Sequence, residues 1–352
     1  MHPPTVIVGA GIAGVSAALH LSEVTPVLLV DGDVPGACTT AIPAALANPL
    51  MSRRGNLVWR ARDALSALVE LLDGVGARPI SRGILRPAAD WKQVDAFRDR
   101  AARHPELARW HPSGSAWPWL HAPLGVLEVH AGMAVDLKGL LRTSLAVLGN
   151  RGVSTRSGWV LEGWREDADG VAADFEAPDG RHAVRCGRLI LAAGSGLPAL
   201  LPQLDLHPVK GQVIELGVRP PEGACAVSGG GYAVPLEDRL IVGSSYRHEF
   251  DRLDADPADS ARLAKTAARL LPWTLGAPLQ KAHVGIRVNV PETRLPMVGP
   301  LPGHRRTWVV GGLGSKGLLM SALIGRALPE WLERPEQVPP EIAPRLLAAR
   351  SR

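Results

Sequence analysis

The sequence has 352 residues, of which 46% are hydrophobic and 21% charged, and its formal net charge is +5. This composition is typical of a globular enzyme with a core large enough for two interleaved domains. No apolar run approaches the roughly 20 residues that a membrane-spanning helix requires. The first predicted strand begins by Thr5, which leaves no room for a signal peptide and favours a cytoplasmic location. The net positive charge permits an acidic partner such as nucleic acid. However, most of the basic residues are arginines, and a GC-rich genome would produce that composition without any such partner.

The N-terminal region predicts a complete βαβ unit. Residues 5–8 form a short apolar strand, residues 9–14 read Gly-Ala-Gly-Ile-Ala-Gly, and a helix follows to about Ser22. A second strand, 27–30, ends at Asp31. This order of strand, glycine-rich turn, helix and strand is typical of a nucleotide-binding fold.

Apolar periodicity and turn residues predict the remaining elements. Helices are predicted over 57–72, 136–148, 260–271 and 317–332, strands over 188–191, 209–216, 231–236, 240–245 and 307–310, and strands with loops over 86–130. The proline-rich tail after Pro335 is predicted to form a peripheral cap or to be partly disordered. The three cysteines fit no metal-binding spacing, so we predict reduced thiols and no metal site.

The glycine-rich turn has the residues that a dinucleotide pyrophosphate needs. Gly9 permits a tight turn, Gly11 lets the backbone approach the phosphates, and Gly14 allows close packing of helix and strand. The helix N-terminus offers free N–H groups to the phosphates. Asp31 lies 20 positions after Gly11, where it can accept hydrogen bonds from the ribose hydroxyls and would repel the 2′-phosphate of NADP.

A second glycine-rich turn distinguishes FAD from NAD. Residues 311–317 read Gly-Gly-Leu-Gly-Ser-Lys-Gly and open a helix near the C-terminus. Two such turns, far apart in the chain, suit a long cofactor with one end at each. The second helix N-terminus could stabilise negative charge on a reduced flavin.

These motifs together resemble the FAD-dependent amino-acid oxidase family that includes D-amino-acid, glycine and sarcosine oxidases. In the second half, the segments 208–212, 231–235, 241–246, 285–287, 295–299 and 313–318 are most similar to the oxidase half of the bifunctional tRNA 5-methylaminomethyl-2-thiouridine biosynthesis proteins. The resemblance implies that FAD-dependent oxidation removes a carboxymethyl group from carboxymethylaminomethyl-uridine at the tRNA wobble position. The products would be aminomethyl-uridine and glyoxylate.

The sequence departs from that pattern in three places. The FAD-binding turn begins at residue 9, so we expect this chain to lack the methyltransferase half, and a separate methyltransferase partner would then complete the modification. The segment 39–45 lacks glycines that the family usually has there, and residues 288–294 differ from the family. The difference at residues 39–45 affects the expected flavin contacts. The difference at residues 288–294 affects the expected substrate contacts near Arg287.

The resemblance also implies a substrate site. Glycine, sarcosine and the modified uridine share an N–CH2–COO⁻ unit, whose carboxylate calls for a bidentate arginine. Arg287 is the candidate, because related glycine oxidases have a carboxylate-binding arginine in the matching Gly-x-Arg motif. Tyr232 and Tyr246, the only tyrosines of the chain, are candidates for further substrate contacts, with ordinary sheet tyrosines as the alternative.

Two lysines complete the predicted site. Lys316 is a candidate for stabilising reduced flavin or touching substrate, and Lys210 for a cation at the mouth of the site; solvated lysines are the alternative for both. The predicted catalytic residues are Arg287, Tyr232 and Lys316. The predicted FAD-binding residues are Gly9, Ala10, Gly11, Ile12, Ala13, Gly14, Asp31, Thr39, Thr40, Ala193, Gly194, Gly314, Ser315, Lys316, Gly317 and Leu318.

The predicted fold class is α/β, with a Rossmann-like FAD-binding domain interleaved with an α+β antiparallel-sheet substrate domain. The FAD-binding domain is assigned to residues 1–85, 131–205 and 283–352, and the substrate domain to 86–130 and 206–282. The leading function is tRNA wobble-uridine oxidation, with candidate phosphate contacts at Arg247, His248, Lys281, Arg305 and Arg306. The alternatives are oxidation of a small amine such as glycine or sarcosine, and a non-catalytic flavoprotein.

Overall fold

The computed structural model describes residues 4–33 and 42–347. Their strands are β1 Thr5–Val8, β2 Val27–Asp31, β3 Ala45–Ala47, β4 Leu50–Met51, β5 Asn56–Leu57, β6 Ser81–Pro87, β7 Arg109–His111, β8 Val126–Val135, β9 Ser154–Ser157, β10 Val160–Glu166, β11 Val171–Ala177, β12 Gly180–Cys186, β13 Arg188–Leu191, β14 His207–Leu216, β15 Ala226–Ser228, β16 Tyr232–Pro235, β17 Leu240–Gly243, β18 Leu279–Asn289, β19 Met297–Pro300 and β20 Thr307–Gly311. Their α-helices are α1 Ile12–Leu21, α2 Ala61–Gly74, α3 Trp91–Arg103, α4 Leu137–Asn150, α5 Leu197–Leu200, α6 Pro257–Leu270 and α7 Gly317–Glu333.

The first sheet has six strands in the order β19-β20-β13-β1-β2-β9. All its pairs are parallel except the antiparallel pair of β19 and β20. Its central strands are continuous apolar runs because helices and other layers cover both faces. Helices α1 and α7 pack so closely that a Cβ at Gly325 would lie 2.4 Å from Ser16 Oγ, and this hydroxyl donates to Ser321 O at 2.9 Å.

The second sheet has nine strands, and its long central pair is β14 with β18. Strands β18, β14, β17, β16 and β15 are antiparallel neighbours, and β15 continues in parallel to β6. A separate antiparallel sheet of β10, β11 and β12 packs through Phe175 and Cys186 against the first sheet. The predicted α/β fold class is therefore confirmed, with a parallel nucleotide-binding sheet beside a mostly antiparallel one.

The structure corrects the prediction for residues 86–130, which contain helix α3 as well as strands. The sequence hides this helix because its apolar stripe is narrow: only Val94 and Phe97 are buried apolar residues. Asp90 begins the helix, since its side chain accepts from Gln93 N. Helix α2 begins at Ala61, four residues later than predicted, because Asn56–Leu57 forms strand β5.

Val338 and Ile342, in the predicted tail, are buried in the core that contains helix α7. Strand β3 lies within the first predicted FAD-binding segment but pairs with β8 in the nine-stranded sheet, so the division into segments stays a prediction. Within the described residues, the structure has no helix long and apolar enough to span a membrane.

Candidate cofactor and substrate site

A cavity of about 1530 Å³ lies where the two large sheets meet. It is larger than the roughly 300–1,000 Å³ typical of one small-molecule pocket, so it has room for a dinucleotide and a substrate. One part of its wall comes from the carboxyl ends of β1, β2, β13 and β20, and another from β14, β16 and β18 of the second sheet. The carboxyl ends of parallel strands are the usual place for a ligand in open α/β sheets.

The turn after β1 has space for phosphates because its glycines have no side chains. Gly9 has a φ of 109°, and a Cβ there would lie 2.4 Å from Ala192 O. A Cβ at Gly14 would lie 1.8 Å from Gly9 O. Gly9, Gly11, Ile12 and Ala13 line the cavity, whereas Gly14 supports the turn from behind.

Asp31 is positioned by the same turn. Its Oδ2 accepts from Ala10 N at 2.5 Å and its Oδ1 accepts from Asp33 N at 2.9 Å. The carboxylate lines the cavity at the end of β2 and retains lone pairs that could accept from ribose hydroxyls. Asp31 therefore lies where the ribose-binding role predicted for it would require a carboxylate.

Two helices open onto the cavity without side-chain caps. Helix α1 has Gly11 at its N-cap and no acidic residue in its first turn, and α7 likewise has neither an acidic first turn nor a capping side chain. Their first-turn N–H groups are thus available to a ligand. At the second turn, Gly314 has a φ of 53°, and a Cβ there would lie 2.1 Å from Asn289 Oδ1. These two glycine-rich turns could hold the pyrophosphate and the flavin of FAD, respectively.

The other predicted FAD-binding residues are distributed as follows. Ala193, Gly194, Gly314, Ser315, Gly317 and Leu318 line the cavity. Ala10 contributes its backbone N–H to Asp31. Thr39 and Thr40 lie outside the described residues.

Arg287 reaches the cavity from strand β18. Its guanidinium lies over Gly211, where a Cβ would be 2.4 Å from Nη1, and Nη1 donates to Ser245 O at 3.3 Å. One face of the guanidinium lies 4.7 Å from the centroid of the Tyr246 ring. The remaining N–H groups have no hydrogen-bond partner among the described residues and are available to a carboxylate.

Tyr232 and Tyr246 line the same part of the cavity as Arg287. Tyr232 is half-buried and its hydroxyl donates to Ala44 O at 3.3 Å. Burial raises the pKa of Tyr232 well above its ordinary value, so the phenol stays neutral and can donate to an anion. The structure therefore brings these three predicted residues together.

The structure does not bring the two predicted lysines to the cavity. Val209 pairs with Arg287, so the next residue, Lys210, points to the opposite face of the sheet, where its Nζ donates to Arg252 O at 2.8 Å. Lys316 directs its Nζ to Arg294 O at 2.5 Å, and it does not line the cavity. The geometry thus argues against the substrate role predicted for Lys210 and the catalytic and cofactor roles predicted for Lys316.

The predicted phosphate contacts are also placed away from the cavity lining. Arg305 and Arg306 precede β20, at the end of the first sheet opposite to the glycine-rich turns. Arg247 is paired with Asp256 and Asp259. His248 and Lys281 are exposed, and neither lines the cavity.

Sequence reasoning missed four further arginines that line the cavity together with Arg287: Arg53, Arg86, Arg262 and Arg269. Among its described lining residues, the acidic ones are Asp31 and Asp33, at the end of β2. Arg269 is exposed and has no acidic partner in the described part of the chain. No motif marks these residues, because they come from separate parts of the chain: the turn after β4, strand β6 and helix α6. Within the described residues, no His, Cys, Asp and Glu cluster could hold a metal ion.

Comparison with known proteins gives consistent results. The family model described as FAD dependent oxidoreductase (DAO) matches residues 5–331. The tRNA 5-methylaminomethyl-2-thiouridine biosynthesis bifunctional protein MnmC of Delftia acidovorans is 28% identical over 381 residues, which cover 92% of this chain and 57% of that protein. Glycine oxidase of Pseudomonas aeruginosa is 27% identical over 372 residues, which cover 96% of this chain and 97% of that protein.

Solved structures share the fold over nearly the whole chain. Glycine oxidase from Geobacillus kaustophilus has a TM-score of 0.83 at 22% identity, covering 94% of this chain and 95% of that one. Iminodiacetate oxidase from Chelativorans sp. BNC1 has a TM-score of 0.79 at 25% identity, and the match covers 97% of this chain and 98% of that one.

Proposed function

The chain belongs to the FAD-dependent oxidoreductase (DAO) family, and we propose that it oxidises the carboxymethylaminomethyl group of a tRNA wobble uridine. The group would be converted to an aminomethyl group, and its two lost carbons would leave as glyoxylate. The observation that carries oxidation of an N–CH2–COO⁻ group is the arrangement of Arg287, Tyr232 and Tyr246 on one wall of the cavity, and the choice of tRNA depends on the basic residues described below. The family is FAD-dependent and acts on CH–NH bonds.

The protein residues bind and orient the substrate. Arg287 would hold the carboxylate of the N–CH2–COO⁻ unit, and the neutral phenol of Tyr232 would turn its single O–H from Ala44 O to the carboxylate. Tyr246 would keep the guanidinium in place through its ring. When bound, FAD supplies the two-electron oxidation of the carbon–nitrogen bond. Water then hydrolyses the resulting imine of the substrate to the amine and glyoxylate.

The charge of the cavity wall supports a nucleic-acid substrate. Arg262 and Arg269 lie seven residues apart on α6, which places both on one face, and Lys265 lies between them. Arg262 and Arg269 line the cavity, and Lys265 is exposed. A flipped-out tRNA nucleotide would bring phosphates close to such a basic part of the wall. The chain spans 55 to 60% of the length of the first bifunctional relatives it matches, so this assignment concerns only their oxidase reaction.

Oxidation of a free amine such as glycine or sarcosine is the second candidate. The observation that favours it is the match to glycine oxidase of Pseudomonas aeruginosa, of which this chain covers 97%. Arg287 and Tyr232 would bind the carboxylate of either substrate in the same way. The two candidates therefore differ in what surrounds the amine, and the experiment must compare substrates directly.

The test is to incubate the FAD-loaded protein with tRNA carrying carboxymethylaminomethyl-uridine and, in parallel, with glycine and sarcosine. Nucleosides are identified by mass spectrometry and flavin reduction by absorbance without oxygen. Conversion to aminomethyl-uridine with little reduction by the free amines supports the tRNA substrate. Reduction by a free amine with unchanged tRNA contradicts it.

Arg269→Ala provides a second, independent measurement. It should weaken turnover of tRNA and lower the salt dependence of log(kcat/KM) by about 1, because one phosphate contact is lost. The matched control is Arg305→Ala, an exposed arginine away from the cavity lining. An equal effect of the two substitutions on tRNA turnover would count against a phosphate contact at Arg269.

A further inference from the structure

His283 is a half-buried histidine of the cavity wall that an acidic residue holds in place. Its Nε2 lies 2.5 Å from Glu215 Oε1, and the other carboxylate oxygen, Oε2, lies 3.1 Å from Arg239 Nε. An ionised carboxylate only accepts hydrogen bonds, so Nε2 carries a proton and donates it to Glu215. In the neutral imidazole, Nδ1 is therefore an acceptor.

Nδ1 is the atom of this histidine that the protein leaves unused. It has no hydrogen-bond partner among the described residues, and it is not shut off from solvent. Because His283 lines the cavity, a ligand in the cavity can reach this acceptor. Glu215 fixes the tautomer and the direction of the ring, so the acceptor is positioned before any ligand binds.

The register of the second sheet places His283 beside the carboxylate site. His283 and Arg287 are four residues apart on strand β18, so their side chains leave the same face of the sheet. Gly285 lies between them on that face and lines the cavity. Since this glycine has no side chain, the space between the imidazole and the guanidinium is open to a ligand.

The two groups are closer than their separation along β18 suggests, because the Arg287 guanidinium lies over Gly211. Gly211 pairs with Gly285, and His283 pairs with Val213. The position above Gly211 is thus two residues along the strand and one strand spacing across from His283. These two steps give a diagonal of about 8 Å.

Tyr232 bounds the same space from the opposite side. Tyr232, Gly243, Val213 and His283 follow one another across four neighbouring strands. The Tyr232 ring lies over Gly243, where a Cβ would be 2.8 Å from the hydroxyl. The part of the cavity above Val213 therefore has Tyr232 on one side and His283 on the other.

We propose that His283 binds the part of the substrate beyond the amine, with Nδ1 accepting a hydrogen bond from the N3–H of the uracil ring. The inference rests on the proposed function, in which Arg287 holds the carboxylate at the other end. Six bonds join the carboxylate carbon of this substrate to uracil N3, a span of about 7 Å when extended. With a contact of about 3 Å at each end, the substrate is long enough to reach both side chains. Glycine and sarcosine are too short, so His283 would favour the uridine over these small amines.

Two substrate pairs test this contact. The first is carboxymethylaminomethyl-uridine and its N3-methyl derivative, which lacks the donor. The second is N-(3-hydroxybenzyl)glycine and N-benzylglycine, in which a ring hydroxyl either takes the place of the N3–H or is absent. For each compound, kcat/KM is measured at constant pH, and binding is measured separately from the change in flavin absorbance.

The wild-type protein should favour the uridine with the donor by about tenfold or more, because its N3-methyl derivative leaves a positioned acceptor unpaired. In His283→Gln the preference should fall to about twofold or less, since the amide still donates to Glu215 but offers no acceptor at the place of Nδ1. In His283→Asn the side-chain oxygen lies near that place, and a preference of about threefold or more should remain.

His111→Gln is the matched control. His111 is also half-buried in this sheet, and its Nε2 lies 2.8 Å from Glu128 Oε2, but it does not line the cavity. The preference for the donor should therefore be the same in His111→Gln as in the wild-type protein.

The alternative role of His283 is to hold Glu215 within the sheet. In that case His283→Gln leaves the ratio within each pair unchanged, and it lowers kcat/KM for sarcosine as much as for the uridine; this result overturns the inference. The inference is also overturned if the wild-type protein shows no preference in either pair. If His283→Gln does not fold, His283→Leu takes its place, because Arg239 still pairs with Glu215.

The proposed function can fail separately. If the preference and its loss in His283→Gln appear only in the benzylglycine pair, and both uridine compounds remain unchanged, the contact at His283 stands and the tRNA substrate does not. If the uridine is oxidised with no preference over its N3-methyl derivative, the proposed function stands and the contact does not.

Discussion

Gly211→Ala tests whether the position of the Arg287 guanidinium controls activity. The new Cβ would lie 2.4 Å from Nη1 and 2.7 Å from Cζ, whereas ordinary contact begins at 3.4 Å. Nη1 must therefore move away by about 1 Å. This displacement costs little energy because Nη1 is at the far end of a flexible side chain. The substitution moves the proposed carboxylate-binding group and leaves its charge in place.

The expected loss follows from the displacement. A misplacement of about 1 Å in a positioned group costs up to about 10²-fold in rate. The guanidinium can recover part of its contact, so we expect kcat/KM for an N–CH2–COO⁻ substrate to fall by about ten- to a hundredfold. Stability should not fall, since replacing a strand glycine by alanine is favourable by roughly 0.5–1 kcal/mol.

The assay is kcat/KM by flavin reduction, together with FAD content and the thermal unfolding midpoint. Gly163→Ala in strand β10 is the control, because no other residue lies within 4 Å of its new Cβ. Unchanged kcat/KM in Gly211→Ala would refute the reasoning. A fall in kcat/KM that is fully explained by a lower FAD content of the variant would also refute it.

Tyr232, Asp31 and the cysteines each give further expected results. Tyr232→Phe should lower kcat/KM about tenfold through the lost hydrogen bond. Because the folded-state pKa of Tyr232 is raised, the wild-type protein should also lose more stability than this variant as pH rises above about 10, measured by urea unfolding. Asp31→Ala should weaken FAD binding by about ten- to a hundredfold, measured by fluorescence titration of the apoprotein. Burial raises the pKa of Cys186 and Cys225 to about 11, so in a Cys38→Ser background thiol reagents at pH 8 should modify neither until the protein is unfolded.

The sequence predicted the nucleotide-binding half well because its signals are local. A tight turn, a helix start and an acidic strand end all fall between Gly9 and Asp31, and both residues line the cavity. Arg287 depended on a resemblance, since an arginine in a strand has no pattern of its own. The roles of these residues stay predictions.

The differences between prediction and geometry at the substrate end come from strand pairing. Lys210 is adjacent in sequence to Val209, which pairs with Arg287, and alternation along the strand sends its side chain to the other face. Arg269 and His283 were missed because their significance depends on the cavity that they line and on the side chains around them. Neither property can be inferred from spacing in a single sequence.

The close packing of helices α1 and α7 has a consequence for biosynthesis. The two glycine cradles are about 300 residues apart in the chain. At about 5–20 residues per second, roughly 15–60 s pass between the emergence of the first and the second from the ribosome. During that interval the apolar face of α1 has no α7 to pack against, and the nascent chain lacks half of its cofactor site. We therefore expect FAD to be captured only after helix α7 has emerged from the ribosome and packed against α1.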